Sequence, residues 1–99
     1  MIASVEHEGK TYELKMTRAG IRAAESQGLD TGQIQGKPQS AIALMFFAAL
    51  FSQYKFNPNK AAAMLDDLLD SGVVEFEDLF ESLSEQYAEL FGLGESEKK

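Results

Sequence analysis

Carboxylates are the groups in this 99-residue chain whose spacing comes nearest to a chemical site. Asp66-Asp67-x-x-Asp70 gathers three acids into one short stretch, a density that invites comparison with a cation loop or an acid–base pair. A calcium loop, however, needs a glycine at its sharp turn, and these acids lie inside a helical pattern that has none. They do not form a spaced glycosidase pair either, so they read as outward-pointing solubility charges. The one histidine, His7, falls at a predicted turn, where a solvent-exposed strand end accounts for it without ligation. Ser26, Ser40, Ser52, Ser71, Ser82 and Ser84 have no histidine near them in sequence to act as a base. The chain has no cysteine, which excludes disulfides, thiolate zinc sites and a cysteine nucleophile. The glycines between Gly28 and Gly36 do not follow GxGxxG, and Gly36-Lys37-Pro38 lacks the hydroxyl of a phosphate-binding loop. The expectation is a protein that is not an enzyme, with no catalytic residue, no cofactor and no metal.

Charge points the same way. The net charge is −7 and it is unevenly spread. Residues 1–60 hold seven basic and five acidic side chains, a balance of +2, whereas residues 61–99 hold two basic and eleven acidic, a balance of −9. Such an acidic half repels phosphate backbones and anionic lipid, so neither nucleic acid nor membrane is an expected partner. The start of the chain has no basic and apolar leader pattern. The longest apolar run, Ala41 to Phe51, is eleven residues, about half of what a bilayer requires. The expected location is a cytoplasm.

The elements that would position any site follow from turns and periodicity. Residues 1–16 read as a β-hairpin about Glu8-Gly9, because Gly9 can take the positive φ of a two-residue turn. With His7 opposite Lys10, Val5 faces Tyr12, Ala3 faces Leu14 and Met1 faces Met16 on an apolar side. Glu6–Thr11, Ser4–Glu13 and Ile2–Lys15 then share the other side. Thr17 caps a helix over about 17–27, stopped by Gly28, with a thin apolar stripe of Ile21 and Ala24 and with Arg18, Arg22 and Glu25 on one face. Residues 28–37, with three glycines, read as a mobile loop. Pro38 opens a helix over 38–54, and Asn57-Pro58 opens another over 58–71 with a stripe of Ala61, Met64, Leu65, Leu68 and Leu69. A last helix over 75–91 carries Phe76, Leu79, Phe80, Leu83, Tyr87, Leu90 and Phe91 at spacings of three and four. Gly92 is its expected stop, and residues 93–99 read as a disordered tail. The fold class is therefore α+β, mainly α: one domain over 1–92, an N-terminal hairpin followed by about four helices packed as a small bundle.

The 38–54 helix is the strongest functional lead. It is apolar nearly all round, and a thin bundle has difficulty covering such a helix on every side. Any uncovered remainder would bind a helical ligand or a second copy of the chain. The candidate partner-binding residues are Met45, Phe46, Phe47, Leu50, Phe51 and Met64, the methionines supplying adaptable contacts.

The order of these pieces resembles a known family. Glu8-Gly9-Lys10-Thr11-Tyr12-Glu13-Leu14-Lys15-Met16 is similar to the opening of the small tail assembly chaperones of long-tailed bacteriophages and prophages, especially those of Gram-positive hosts. The arginine-bearing helix Thr17 to Glu25, the Ala- and Phe-rich stretch Ser40 to Phe51, the Asn-Pro-capped helix ending in Leu-Leu-Asp-Ser-Gly and the acidic last helix follow in the family's order. The resemblance implies a non-enzymatic protein that binds the phage tape-measure protein, keeps its apolar helical surface dispersed during tail assembly, and is absent from the mature virion. Two other readings fit the same residues. An acidic mimic of nucleic acid would inhibit a host DNA-binding protein through the −9 half, and a small oligomeric structural or adaptor subunit would use the apolar helix to self-associate.

Overall fold

The first turn of the chain sets the register of everything N-terminal. In this computed structural model, which describes residues 2–91 (for Phe91, the backbone alone), Glu8 and Gly9 take φ of +53° and +79°. Positive φ at both central positions is the turn whose twist matches a right-twisted strand pair. Strands β1 (Ser4–His7) and β2 (Lys10–Glu13) then pair antiparallel, with Ser4 opposite Glu13, Val5 opposite Tyr12, Glu6 opposite Thr11 and His7 opposite Lys10. This is the expected register, and Val5, Leu14 and Met16 are buried along the expected face. The alternation breaks below Ser4: Ala3 is exposed and Ile2 is half-buried. The last bond of the expected register runs from the Leu14 amide to the Ala3 carbonyl at 2.9 Å, and beyond it the Ile2 amide donates to Ser82 Oγ at 2.7 Å. Met1, the expected partner of Met16, lies outside the described residues, as do Gly92 and the 93–99 tail.

Helix α1 (Arg18–Glu25) begins at Thr17, whose extended backbone lets its hydroxyl accept from the Gly20 amide. It buries only Gly20, Ile21 and Ala24. That thin stripe suffices because α1 lies unusually close to α3 (Pro38–Tyr54): a Cβ added at Gly20 would collide with the carbonyl oxygen of Ala48. Small residues replace large ones at the contact, and the two backbones approach until they pack.

The expected loop over 28–37 contains a helix. Asp30 caps α2 (Thr31–Gly36) by accepting from the Gln33 amide at 2.6 Å. Asp30 with Gln33 three residues on is the signature of a capped start, and it outweighs the glycines on either side. No α2 residue is fully buried, although Ile34 packs against the core.

Helix α3 runs over the expected residues, with Pro38 at its start and Lys55 in the left-handed conformation at its end. It carries no charged side chain. Asn57 then caps α4 (Pro58–Asp70), accepting from Lys60 at 2.7 Å, and Ala61, Met64, Leu65 and Leu68 are buried while Asp66, Asp67 and Asp70 face solvent. After Ser71, Gly72 turns at φ +80°, and α5 (Phe76–Phe91) returns along α3. The buried apolar residues form one core to which the hairpin and stem, α1, α3, α4 and α5 all contribute, with α3 at its centre.

Candidate functional site

The six expected partner-binding residues occupy the core far more than the surface. Met45, Phe46 and Leu50 are fully enclosed, and Phe47 and Met64 retain only a few per cent exposure. Phe51 alone is half-buried, its ring set edge-on to Phe47 at 5.6 Å between centroids. Every residue from Met45 to Leu50 is buried, and six consecutive positions go all the way round a helix. So α3 has no open groove in this state. The cause is the close seat of α1 at Gly20, with α2, α4, α5 and β2 closing the other sides.

What remains at the surface is a half-buried apolar fringe. It includes Leu44 and Phe51 of α3, Leu69 of α4, and Phe76 and Phe80 of α5, which stack at 5.5 Å with rings 12° from parallel. Val73, between α4 and α5, is 64% exposed. Around this fringe α5 presents Glu77, Asp78, Glu81, Glu85 and Glu89 to solvent and carries no basic residue.

The hairpin stem, 14–16, is held by side chains from distant helices. The Met16 amide donates to Gln86 Oε1 at 2.7 Å, and Gln86 Nε2 donates to the Leu14 carbonyl at 3.0 Å. One amide side chain thus satisfies the backbone as a neighbouring strand would. Ser82, one turn earlier on α5, accepts from Ile2, while Tyr54 Oη accepts from the Glu13 amide at 2.9 Å and the Ala49 carbonyl accepts from Lys15 at 3.2 Å. Tyr12, Tyr54 and Phe56 meet edge-to-face and seat the hairpin on the end of α3. Sequence reasoning placed Ser82 only among candidate nucleophiles and missed Gln86. Their signal was there: two polar residues four apart on the face that also holds Leu79 and Leu83.

His7 corrects its expectation as well. It is the last residue of β1, about one-fifth exposed, and its Nε2 lies 3.2 Å from Asp67 Oδ2 of α4. The contact ties the turn to α4. No three metal-ligating side chains converge among those residues. A cavity of about 140 Å³ lies between α1 and the end of α5, lined by Arg18, Ile21, Arg22, Glu25 and Leu90, with Arg18 donating to the Leu90 carbonyl at 3.0 Å. Nearby Tyr87 is buried, and that burial, reinforced by Glu25 and Asp30, holds its phenol above the usual pKa.

Among the described residues the surface thus combines half-buried apolar side chains, the exposed carboxylates of α4 and α5 and the guanidinium groups of α1. No helix among the described residues is long and apolar enough to cross a membrane. No curated protein and no solved structure matches the chain. The family model of a domain of unknown function, DUF5055, matches residues 2–98, so the chain belongs to the DUF5055 family.

Proposed function

We propose that this protein is a non-enzymatic tail assembly chaperone of a long-tailed phage or prophage, binding the tape-measure protein in the host cytoplasm while the tail is built. The observation that carries the reading is α3, a seventeen-residue helix without one charged side chain, held inside a small acidic protein. A rod-like helical client aggregates through apolar faces. A chaperone for it needs apolar contacts and an outward charge that keeps the complexes apart. The fringe of Leu44, Phe51, Leu69, Phe76 and Phe80 offers the first, and the carboxylates of α4 and α5 offer the second. Weak single contacts repeated by many copies along a rod would give avidity and still permit release.

Co-expression with a tape-measure fragment, followed by light scattering of the soluble fraction, tests this. A soluble complex with several copies per rod is the expected result. A rod that precipitates while this protein elutes alone overturns it. Phe51→Glu probes the fringe, because its half-buried ring can be replaced with less damage than the enclosed Phe46 or Phe47. Salt-sensitive, detergent-insensitive binding to a basic nuclease would instead favour the acidic mimic.

A further inference from the structure

We propose that α5 is a releasable cover: it detaches from α3 as a unit while the strand pair and α1 to α4 remain folded. Three observations carry this, all on the chain itself, so the proposal stands whether or not the protein binds a tape-measure rod.

The first is the electrostatics of the helix. Glu77, Glu81, Glu85 and Glu89 follow one another at spacings of four, which stacks four exposed carboxylates in a single row. Like charges at that spacing disfavour the helix. Glu89 also sits in the last turn, where the helix dipole is negative and no basic residue of α5 offsets it. The exposed Asp66, Asp67 and Asp70 of α4 add to the same negative field. The cations beside α5 are Arg18 and Arg22 of α1 and Lys15 of the stem, and none forms an ion pair with an α5 carboxylate among the described residues.

The second is the manner of attachment. Leu79, Leu83 and Tyr87 are buried, but much of the fastening is polar: Ser82 to the Ile2 amide, Gln86 to Leu14 and Met16, and Arg18 to the Leu90 carbonyl. The Arg18 bond is exposed, whereas those of Ser82 and Gln86 are part-buried and break only as the helix lifts. By contrast α1 is seated on α3 by a close backbone approach at Gly20, and the side chains that α4 buries, Ala61, Met64, Leu65 and Leu68, are all apolar, whereas α5 buries Ser82 among its own.

The third is the connection. Between Asp70 and Phe76 the chain turns at Gly72, at φ +80°, and leaves Val73 in solvent. Gly72 has nothing within 4 Å of where a Cβ would stand, but the buried Val74 donates its amide to the Leu68 carbonyl at 3.3 Å, so the joint that gives lies after Val74, at Glu75. Such a joint lets a helix swing without unfolding its neighbours. Release would uncover the apolar side of α3 beneath α5, the one place where the enclosed candidate residues could become accessible.

Amide hydrogen exchange on the full chain tests the idea. In low salt, amides inside α5 and that of Met16, which Gln86 holds, should exchange at least tenfold faster than amides of Met45–Leu50. Raising the salt should slow α5 exchange severalfold, because screening relieves the carboxylate row. Arg18→Gln, which removes one fastening outside the core, should speed α5 exchange severalfold and leave α3 unchanged. Equal protection in α5 and α3 overturns the proposal. So does a uniform acceleration of both helices by Arg18→Gln, which would mean that α5 leaves only with global unfolding.

Discussion

Replacing Gly20 with alanine should destabilise this protein, against the ordinary rule for helices. In an open helix interior the change from glycine to alanine is favourable by about 1 kcal/mol. Here the new methyl would overlap the Ala48 carbonyl oxygen and stand 3.1 Å from its carbon, all backbone atoms of α3 that cannot rotate away. To relieve the overlap α1 must move off α3, loosening the buried Ile21 and Ala24. Overpacking of this kind costs roughly 1–3 kcal/mol beyond any gain in propensity. A net loss of about 2 kcal/mol would lower the melting temperature by roughly 8–16 °C in a domain of this size. Urea unfolding followed by far-ultraviolet circular dichroism would show the midpoint falling with the slope unchanged. Gly36→Ala is the matched control. Gly36 lies in a helix, without positive φ, and has nothing within 4 Å of the added carbon, so it should be neutral or stabilising by up to about 1 kcal/mol. If Gly20→Ala stabilises as Gly36→Ala does, the close seat of α1 on α3 is wrong, and with it the account of how α3 is enclosed.

Gln86→Glu should weaken the fold at neutral pH, because a carboxylate can still accept from Met16 but is repelled by the Leu14 carbonyl. Burial beside that carbonyl raises the carboxyl pKa in the folded state, so the lost stability should return as pH falls through the acid range, measured by thermal melts across pH. Tyr87 supplies an alkaline counterpart: its folded pKa is raised by burial, then by Glu25 and Asp30. The unfolded chain therefore releases that proton first, and stability should be intact below about pH 10 and decline above it. Tyr87→Phe should flatten this slope, and an unchanged alkaline limb would refute the assignment. Thr17→Ala removes both the cap on the Gly20 amide and the 2.6 Å bond to Ser52 Oγ. A loss of about 1–2 kcal/mol in urea unfolding is expected, with Thr17→Ser recovering most of it.

The parts of this fold that were legible in the sequence are those fixed by neighbouring residues. Glu8-Gly9 sets the hairpin register, Pro38 and Asn57-Pro58 start their helices, and α3 ends where the uncharged run meets Lys55. Helix α2 was missed because the three glycines of residues 28–37 were weighed and the Asp30–Gln33 cap was not. That five of the six candidate site residues are enclosed was not legible for a different reason. Whether an apolar helix is covered depends on how near its neighbours come, and here that rests on Gly20 against Ala48 and on α5 folding back over α3. Periodicity records which face is apolar and says nothing about these distances. The bonds of Ser82 to Ile2 and of Gln86 to the stem join residues 70 to 80 positions apart, so the two polar residues on the buried face of α5 are legible locally and their partners are not.

That long separation has a consequence for how the protein is made. The stem beside the first strand obtains its hydrogen-bond partners from the last helix, so the N-terminal sixth of the chain cannot reach its final form until α5 has been synthesised. At roughly 5–20 residues per second, the stretch from Lys55 to Phe91 takes about 2–7 s to translate. During that interval α3 lacks first α4 and then, until its end, α5 to shelter it. A ribosome stall or a premature stop before Ser82 would therefore release a chain with its most apolar helix uncovered, and such truncated products should be cleared by proteolysis or bound by general chaperones.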